Sequence, residues 1–444
     1  MKVVLSFFTL RKFQLIFILT DFSILLLLFS FLFQLNNLFV FQLYILFFLV
    51  INYICGKYNF LNLINKKNIF KYIQKSIFSY IIFYFTSFLF DYFLVIFEIT
   101  KKLPLEFGFK LLYIYIACYL FQFSLNIFFV KFNRQRKWIF IGRSFVFDQI
   151  IKDINLAKFN NLNITNIEIN KFLSDYKNYK NYTGLIFDSE IKLFGKKIEI
   201  IRSLEKMDFL VVSHINWVEK YLCKLPTEML NQNCFLNHRK KISTFSRFQL
   251  HLKRIGDIVV SFILILVTSP ILIVSILLIK FEDGGPVFYK QIRNGRNKKK
   301  FTIIKLRTMK VNAEKDGAKW FVSDDIRVTK IGKILRLFRI DELTQLVQVF
   351  SGNMSLIGPR PERPEFDSTL SKELPFYDKR YSLRPGISGW AQVNYPYGSS
   401  KEDAYQKLSY DIYYLKNFSI FLDFLILLKT IRLVCNAKGA LPRK

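Results

Sequence analysis

Cysteine, histidine and acidic residues are all scarce in this chain, and each scarcity removes a class of function. The five cysteines among 444 residues (Cys55, Cys118, Cys223, Cys234, Cys435) are scattered, odd in number and never spaced C-x-x-C, which argues against a disulfide framework or a zinc site. His214, His238 and His251 share no metal-ligand spacing, so any metal is a hard ion held by carboxylate and phosphate oxygens. Acids number 33 against 65 lysines and arginines, a formal net charge of +32. No base-stacking or groove-reading motif accompanies that charge, so no nucleic-acid partner is expected. Anionic lipid is the simpler partner, since it attracts each nearby Lys or Arg by about 1 kcal/mol. Internal repeats are absent, as are low-complexity tracts beyond an apolar bias.

What the chain has in quantity is long apolar sequence. Residues 13–33, 38–55, 76–97 and 109–130 are nearly uncharged and rich in Phe, Leu and Ile. Each is close to the roughly 20 residues a helix needs to cross hydrocarbon, which predicts a transmembrane region of four helices over residues 1–132. The first stretch has no small-residue cleavage site and reads as a retained anchor. Basic residues gather at the start (Lys2, Arg11, Lys12), in the second loop (Lys57, Lys66, Lys67, Lys71, Lys75) and at the exit (Lys131, Arg134, Arg136, Lys137). The loop "QLNN" has none and "EITKKLPLE" balances its charges, so both termini are expected in the cytoplasm.

The stretch "KWIFIGRSFVFDQII" joins a short apolar strand, a Gly turn and a helix-like run. With "GLIFD" at 184–188 and "DFLVVS" at 208–213 it predicts a small Rossmann-like α/β domain over residues 133–225. Gly142 stands alone before Arg143 where a dinucleotide site needs G-x-G-x-x-G, so a structural or regulatory role is expected. Residues 226–250, polar and irregular, read as a linker to a last domain over 251–444.

That domain opens with an apolar run from Ile258 to Ile279, interrupted by Ser269 and Pro270. A plain crossing is the simplest expectation, yet both flanks are basic: Lys253 and Arg254 before it, then Lys280, Lys290, Arg293, Arg296 and Lys298 to Lys300. One crossing helix cannot satisfy the positive-inside rule on both sides. A re-entrant hairpin over about 255–281 satisfies it, breaking at Pro270, with Ser269 taking up a freed carbonyl. The tail "SIFLDFLILLKTIRLV" at 419–434 reads either as an interfacial helix or as a buried core helix, and Tyr405, Tyr410, Tyr413 and Tyr414 are candidates for the interface.

Between residues 284 and 362 cations and special-backbone residues concentrate. Arg327, Lys330, Lys333, Arg336 and Arg339 recur every third residue, ordinarily a solvated stripe. Arg293, Arg307 and Arg360 sit in the turn-rich contexts "RNG", "LRTM" and "GPRP", where fixed guanidinium forks suit phosphate oxygens. The stripe ends in "FRIDELTQLVQVF", residues 338–350. Leu343, Leu346, Val347 and Phe350 follow the spacing of a buried helix face, placing Asp341 at the N-cap or first turn. Helix capping is one reading of Asp341 and Glu342. The other is chemical. Aspartate, with a reference pKa of about 3.9, is ionised at neutral pH, is kept so by nearby arginines, and attacks phosphorus without a general base. A neighbouring glutamate can share Mg²⁺ with substrate phosphate oxygens.

From Lys253 to Arg443 the motifs "KRIGD", "GPVFYKQIRNG", "KLRTM", "RVTKIGKILR", "IDELTQL", "GNMSLIGPRPE" and "LRPGISGWAQVNYPYG", with "SP" inside the apolar run, resemble the bacterial sugar transferases. These are polyprenyl-phosphate hexose-1-phosphate transferases, and the whole layout resembles their long exopolysaccharide type. The resemblance implies a membrane protein of the bacterial inner membrane, multi-pass, whose mainly α-helical catalytic domain with its re-entrant hairpin faces the cytoplasm. It implies a ping-pong reaction of a UDP-sugar with polyprenyl phosphate, the first membrane step of exopolysaccharide or O-antigen synthesis. Asp341 would be the nucleophile and Glu342 would hold Mg²⁺. Lys305, Arg307, Arg336 and Arg360, joined by Arg293, would bind phosphates or orient substrate. Besides the bilayer, a homo-oligomer or polysaccharide assembly proteins are conceivable partners. The chain departs from the family pattern at Thr344 (often Pro) and Asn353 (often Asp). An inactive membrane scaffold is the competing reading, and the intact Asp341, Glu342 and arginine motifs speak against it. A CDP-alcohol-type phosphatidyltransferase would need a multi-Asp motif that the chain lacks.

Overall fold

The structure is a computed structural model that describes residues 10–32, 38–58, 66–96, 106–132, 136–156, 162–179, 182–188, 190, 209–227, 246–311, 313, 325–395, 398 and 400–435. The expected loops at 34–37 and 98–105 and most of the expected linker, 228–245, lie outside the described residues. The chain divides into two compact units, Met1–Ser213 and His214–Lys444.

In the first unit four apolar helices pack together: α1 (Leu10–Leu32), α2 (Leu38–Cys55), α3 (Lys66–Ile96) and α4 (Glu106–Phe132). Leu25, Tyr44, Phe48, Phe83, Leu111 and Cys118 fill the space between them. The outer face is just as apolar, with Leu27, Phe78, Phe85, Phe88 and Tyr113 all exposed, the pattern of a surface meant for hydrocarbon. Within α3 and α4, Asn68–Phe90 and Lys110–Phe129 are long and apolar enough to cross a membrane, whereas α1 and α2 carry the shorter apolar stretches Gln14–Leu28 and Gln42–Cys55.

The same unit contains a four-stranded parallel sheet, order β2-β1-β3-β4, from β1 (Arg136–Ile141), β2 (Leu162–Asn166), β3 (Gly184–Phe187) and β4 (Leu210–Ser213). Helix α5 (Ser144–Leu156) follows β1 and α6 (Ile169–Asp175) follows β2. Strands β1, β3 and β4 are the three that the sequence indicated. Strand β2, "LNITN", carries too little apolar alternation to stand out and sits at the sheet edge. At the carboxyl ends of β1 and β3, the crevice where such sheets take nucleotides, Arg143 Nε donates to Asp188 at 2.6 Å and the same guanidinium pairs with Glu190. A Cβ on Gly142 would stand 2.6 Å from the Asp188 side chain, so glycine here serves that close approach.

The second unit begins with α7 (His214–Leu222), a stretch that sequence reading gave to the α/β domain. Ile215 and Leu225 instead enter the C-terminal core, where Leu225 N–H donates to the Ser409 carbonyl (2.9 Å) and Trp390 Nε1 to the Cys223 carbonyl (2.9 Å). Helix α8 (Arg247–Asp283) follows, then the antiparallel strands β5 (Phe288–Asn294) and β6 (Lys300–Leu306). Next come α9 (Lys330–Leu337), a 3₁₀ segment Ile340–Gln345, α10 (Leu346–Ser351), β7 (Ser355–Ile357) and α11 (Pro364–Glu373). A second 3₁₀ segment, Tyr377–Ser382, leads to β8 (Gly386–Ser388), which pairs parallel with β7, and then to α12 (Trp390–Asn394), α13 (Lys401–Lys416) and α14 (Ile420–Cys435). Helix α13 starts with a reciprocal capping box between Ser400 and Asp403 and is the spine of the core.

One expectation fails here. Tyr405, Tyr410, Tyr413 and Tyr414 are buried along α13 and do not reach an interface; Tyr414 instead donates to Asp423 Oδ1 on α14 at 2.6 Å. Helix α14 divides between its two readings, burying Leu422, Ile426 and Leu428 while exposing Phe421, Phe424 and Ile431. At Pro270, the expected hairpin break, α8 is continuous as a helix. The proline leaves the Leu266 carbonyl without its usual donor, and Ser269 Oγ supplies one at 2.8 Å, as the sequence suggested, so the helix survives its proline. Both ends of α8 are fastened to the same unit. Arg254 donates to the carbonyls of Val349 (2.6 Å) and Phe350 (2.8 Å), and Glu282 accepts the Ile331 N–H at 3.2 Å.

Candidate active site

The site is assembled on the β5–β6 hairpin. Alternation along these strands puts Tyr289, Gln291 and Arg293 on one face, and the register Tyr289↔Lys305 brings Lys305 onto it. Against β6 lies the 3₁₀ segment, tied down where Thr344 Oγ1 donates to the Ile304 carbonyl at 2.8 Å and where the Gln348 amide donates to the Thr302 carbonyl. A 3₁₀ turn of three residues stacks Glu342 above Gln345 and Asp341 above Thr344, so the two acids point in different directions.

The buried face of this element agrees with the expected one only in part, at buried Leu346 and half-buried Leu343. Glu342, Gln345, Gln348 and Val349 go inward, while Val347 (58% exposed) and Phe350 (45%) face out, Phe350 against Phe262 of α8. Apolar spacing could not reveal this, because it does not tell which apolar residues of a short helix face the core and which, like Val347 and Phe350, pack outward toward α8. Capping is not the role of the acids either: Arg339 holds the N-cap position, and no side chain caps the turn. Arg339 takes a left-handed φ of 55°, a conformation costing a non-glycine residue about 1–3 kcal/mol and characteristic of functional turns.

Glu342 is the centre of the charge. Arg360 Nη2 donates to its Oε1 at 2.8 Å, Lys305 Nζ is 3.7 Å from the same oxygen, and Arg339 faces Oε2 at 3.6 Å. Arg360 arrives on the loop after β7, where Gly358 abuts the Arg384 carbonyl too closely for a Cβ. Arg336 donates from Nε to Thr308 Oγ1 (2.8 Å), and its charge acts on Asp341. Arg293 donates to the Pro361 carbonyl (3.2 Å) and Gln291 Oε1 (2.6 Å), lies 3.8 Å from Glu362, and its charge acts on Lys305.

These fields divide the two acids. Burial and the charge of Glu342 push the Asp341 carboxyl up to about 6, with Lys305, Arg336 and Arg360 acting against the rise. Burial would lift Glu342 too, but Arg360, Lys305 and Arg339 outweigh it and hold that carboxyl well below the ordinary range. The cations thus serve Glu342 more than the expected Asp341. Burial lowers the Lys305 ammonium to about 8.

Arg307, expected at the phosphates, is elsewhere. Its guanidinium grips Asp283 at the end of α8 through both oxygens, Nη1 to Oδ2 at 2.5 Å, and its Nε donates to the Pro286 carbonyl. Arg327 of the basic stripe is likewise taken by Asp325. Asn353 is exposed and bonds Ser351, far from any role as a salt-bridge partner of the acids. Sequence reading missed Arg380 and Asp411, which brace Arg360 from behind; both are buried, and only their ionic character inside an otherwise apolar pattern marked them.

Among the described residues no cluster of three His, Cys, Asp or Glu could hold a metal by itself. Magnesium needs less, one or two carboxylates with substrate phosphate oxygens completing its octahedron. Glu342 offers one such carboxylate, whose Oε2 stands in an ion pair with Arg339 at 3.6 Å that a bound cation would have to displace.

The bacterial sugar transferase family matches residues 248–437, which contain this whole site. A UDP-N-acetylgalactosamine-undecaprenyl-phosphate N-acetylgalactosaminephosphotransferase of Aeromonas hydrophila is 46% identical over 189 residues, 43% of this chain and 45% of that protein. A UDP-glucose:undecaprenyl-phosphate glucose-1-phosphate transferase of Caulobacter vibrioides is 39% identical over 181 residues, 40% of this chain and 68% of its own length. The uncharacterized sugar transferase EpsL of Bacillus subtilis is 39% identical over 192 residues, 42% of this chain and 89% of its own length. The match thus spans less than half of the Aeromonas relative and nearly all of the Bacillus one. With its acids and cations gathered inside the matched region, the chain belongs to the bacterial sugar transferase family.

Proposed function

We propose that the protein transfers a hexose-1-phosphate from a UDP-sugar to a polyprenyl phosphate such as undecaprenyl phosphate, releasing UMP. The observation that carries this reading is the division of the two adjacent acids, one carboxylate locked among Arg360, Lys305 and Arg339 and the other, Asp341, left without a hydrogen-bond partner among the described residues. A half-buried carboxylate so placed is a nucleophile in waiting.

In the first half-reaction a carboxylate oxygen of Asp341 forms a bond to the sugar-bearing phosphorus, and the bond from that phosphorus to the bridging oxygen breaks, UMP departing with the electron pair. In the second, a phosphate oxygen of the polyprenyl acceptor attacks the same phosphorus and the aspartyl bond breaks, regenerating Asp341. Lys305, Arg336 and Arg360 are fixed cations that stabilise charge on the transferring group without reorganising, and Arg293 orients the hairpin edge beside them. Glu342 would hold Mg²⁺, which when bound would further neutralise the donor diphosphate.

Topology follows the same reading. Helices α1 to α4 cross the bacterial inner membrane with cytoplasmic loops carrying the basic residues, and α8 dips into the cytoplasmic leaflet and returns, bending at Ser269 and Pro270. Attachment of both its ends to one globular unit supports entry and exit on one side. Lipid phosphate and soluble nucleotide then meet at one plane, and partners in the bilayer are a second copy or polysaccharide assembly proteins. The test is UMP release from a panel of UDP-hexoses by the purified full chain. Release that requires Mg²⁺ and polyprenyl phosphate is expected, with a single-turnover burst when the lipid is withheld; release of UDP in place of UMP would refute the reaction.

A further inference from the structure

The four-helix bundle of the first unit holds charge where an apolar core is the rule. Helix α2 stops at Cys55, Gly56 turns with a left-handed φ of 75°, and Lys57 and Tyr58 follow it, 0% and 1% exposed. Sequence reading counted Lys57 among the basic residues of the second loop, so its burial is unexpected. Its ammonium stands 4.7 Å from the centre of the Tyr115 ring, 5.6 Å from that of Phe48, and 4.0 Å from Asp21 Oδ2 on α1. Tyr58 donates to that same oxygen at 2.9 Å.

The other helices bring polar groups to this pair. The Tyr115 hydroxyl of α4 donates to the Ser76 carbonyl of α3 at 2.8 Å, and Ser79 Oγ donates to Asn52 Oδ1 of α2 at 2.9 Å. Gln122 Nε2 of α4 donates to the Phe17 carbonyl at 3.2 Å, the carbonyl that the Asp21 amide uses within α1. Measured along the helices, Asp21 lies about 16 Å from the Leu10 end of α1 and Tyr115 about 25 Å from the Phe132 end of α4, so α2 ends inside the bundle. Non-helical backbone at such a depth is tolerated only where protein encloses it or water reaches it.

Within this cluster Asp21 Oδ1, Lys57 Nζ, Ser76 Oγ and Gln122 Oε1 are buried and have no hydrogen-bond partner among the described residues. An ammonium offers three donors, and the 4.0 Å approach to Asp21 satisfies none of them. Leaving a buried charge so placed is costly. What would complete the set must accept from Lys57 and donate to Asp21 and Gln122. Lys57 repels a cation, Asp21 repels an anion, and their charges cancel, so a neutral molecule with a hydroxyl is required. Water is the smallest that serves, and buried polar groups commonly hold it.

We propose that Asp21, Lys57 and Gln122 bind ordered water inside the bundle. The hydrated site keeps the Lys57 ammonium charged within the bilayer and fastens the end of α2 to α1 and α4. It rests on the bundle lying in the bilayer, and not on the reaction proposed for Asp341.

The test is radiolytic hydroxyl labelling of the full chain in lipid nanodiscs, read residue by residue by peptide mass spectrometry. Bound water yields hydroxyl radicals on the spot and so marks neighbouring aromatic side chains that bulk solvent does not reach. Tyr58 and Tyr115 should be labelled, whereas Tyr44, about two turns along α2 from Asn52 and equally buried, should not. The double variant Asp21→Leu/Lys57→Met removes both charges and strands neither, so labelling of Tyr58 and Tyr115 should be lost in it. Gln122→Leu, which alters no charge, should slow the labelling of Tyr58. Labelling of Tyr58 and Tyr115 as slow as that of Tyr44 in wild type would mean a dry ion pair and overturn the site. Labelling unchanged in the double variant would overturn its assignment to Asp21 and Lys57. Should Tyr44 become labelled in the double variant, the bundle has opened and the Gln122→Leu protein decides: Tyr58 labelled there at the wild-type rate overturns the proposal.

Discussion

Arg380 Nη2 donates both to the Arg360 carbonyl (2.9 Å) and to Asp411 Oδ2 (3.1 Å), so a buried ion pair on α13 supports the backbone of the residue that grips Glu342. Tyr377 accepts a further bond from Arg380 at 2.8 Å, leaving the guanidinium enclosed. Removing one partner of a buried pair strands the other charge, which typically costs about 3–5 kcal/mol. Asp411→Asn should therefore lower thermal stability by several degrees and, through the displaced Arg360, reduce kcat/KM per folded molecule about tenfold. Unfolding scans and UDP-sugar kinetics on one preparation check both. Normal kcat/KM in a destabilised variant would show that Arg380 does not act on Arg360.

Asp341 and Glu342 should fail differently. Asp341→Asn keeps size and removes the nucleophile, so neither UMP burst nor steady turnover is expected. Glu342→Gln leaves the nucleophile but unpairs Arg360, Lys305 and Arg339, so turnover should fall about 10²–10³-fold while a slow burst persists. Intact-protein mass spectrometry after donor alone should find the sugar-phosphate adduct in the Glu342 variant and not in the Asp341 variant. An adduct on the Asp341→Asn protein would place the nucleophile elsewhere.

Lys305 gives a prediction in pH. Burial lowers its ammonium to about 8, so its charge is present below that value and is lost as pH rises through it. In magnesium-free protein, labelling by an amine-selective reagent should reach half its plateau rate near pH 8, about two units before ordinary lysines. Peptide mapping reads the residue directly. A midpoint near 10 would mean that the ammonium is hydrated and not enclosed beside Glu342.

How far the sequence reached depended on what each signal encodes. Apolar runs gave α1 to α4, and three short apolar stretches gave β1, β3 and β4, because burial of those residues is what makes the elements. Motif position implied that Lys305 and Arg360 bind phosphates or orient substrate; that both stand beside Glu342 came from the fold. Two features stayed hidden. The outward turn of Val347 and Phe350 reverses the usual rule that apolar means inside, and periodicity cannot tell a core from a surface against hydrocarbon. The division between Arg360 and Arg307 was equally hidden, since both stand in turn-rich motifs and only the fold decides which one meets a carboxylate of its own.

Arg307 accordingly should act on stability and not on substrate affinity. Its bidentate grip on Asp283 joins β6 to the end of α8, and that pair holds the Asp283 carboxyl down to about 2. Arg307→Leu should lower thermal stability while leaving KM for the UDP-sugar within about twofold. Asp283→Asn should do the same more weakly, and the two changes together should cost less than their sum. A KM raised tenfold or more by Arg307→Leu would return this arginine to the phosphates.

The position of α8 is the last point on which a measurement decides. Its 37 residues include an apolar stretch long enough to cross a membrane, yet its two ends are bound to the same unit, Arg254 at Val349 and Glu282 at Ile331. A straight crossing would have to carry one of these contacts through the bilayer, dragging α9 or α10 polar groups into hydrocarbon at several kcal/mol for each unsatisfied group. Bending at Pro270 avoids this, because the proline removes one backbone bond of the helix there and only a side-chain bond from Ser269 replaces it. Cysteines placed at the exposed positions Phe248 and Ile292 should therefore react with a membrane-impermeant maleimide from the same face of sealed, oriented vesicles. Labelling from opposite faces would establish a crossing helix and remove the common plane on which donor and lipid acceptor are proposed to meet.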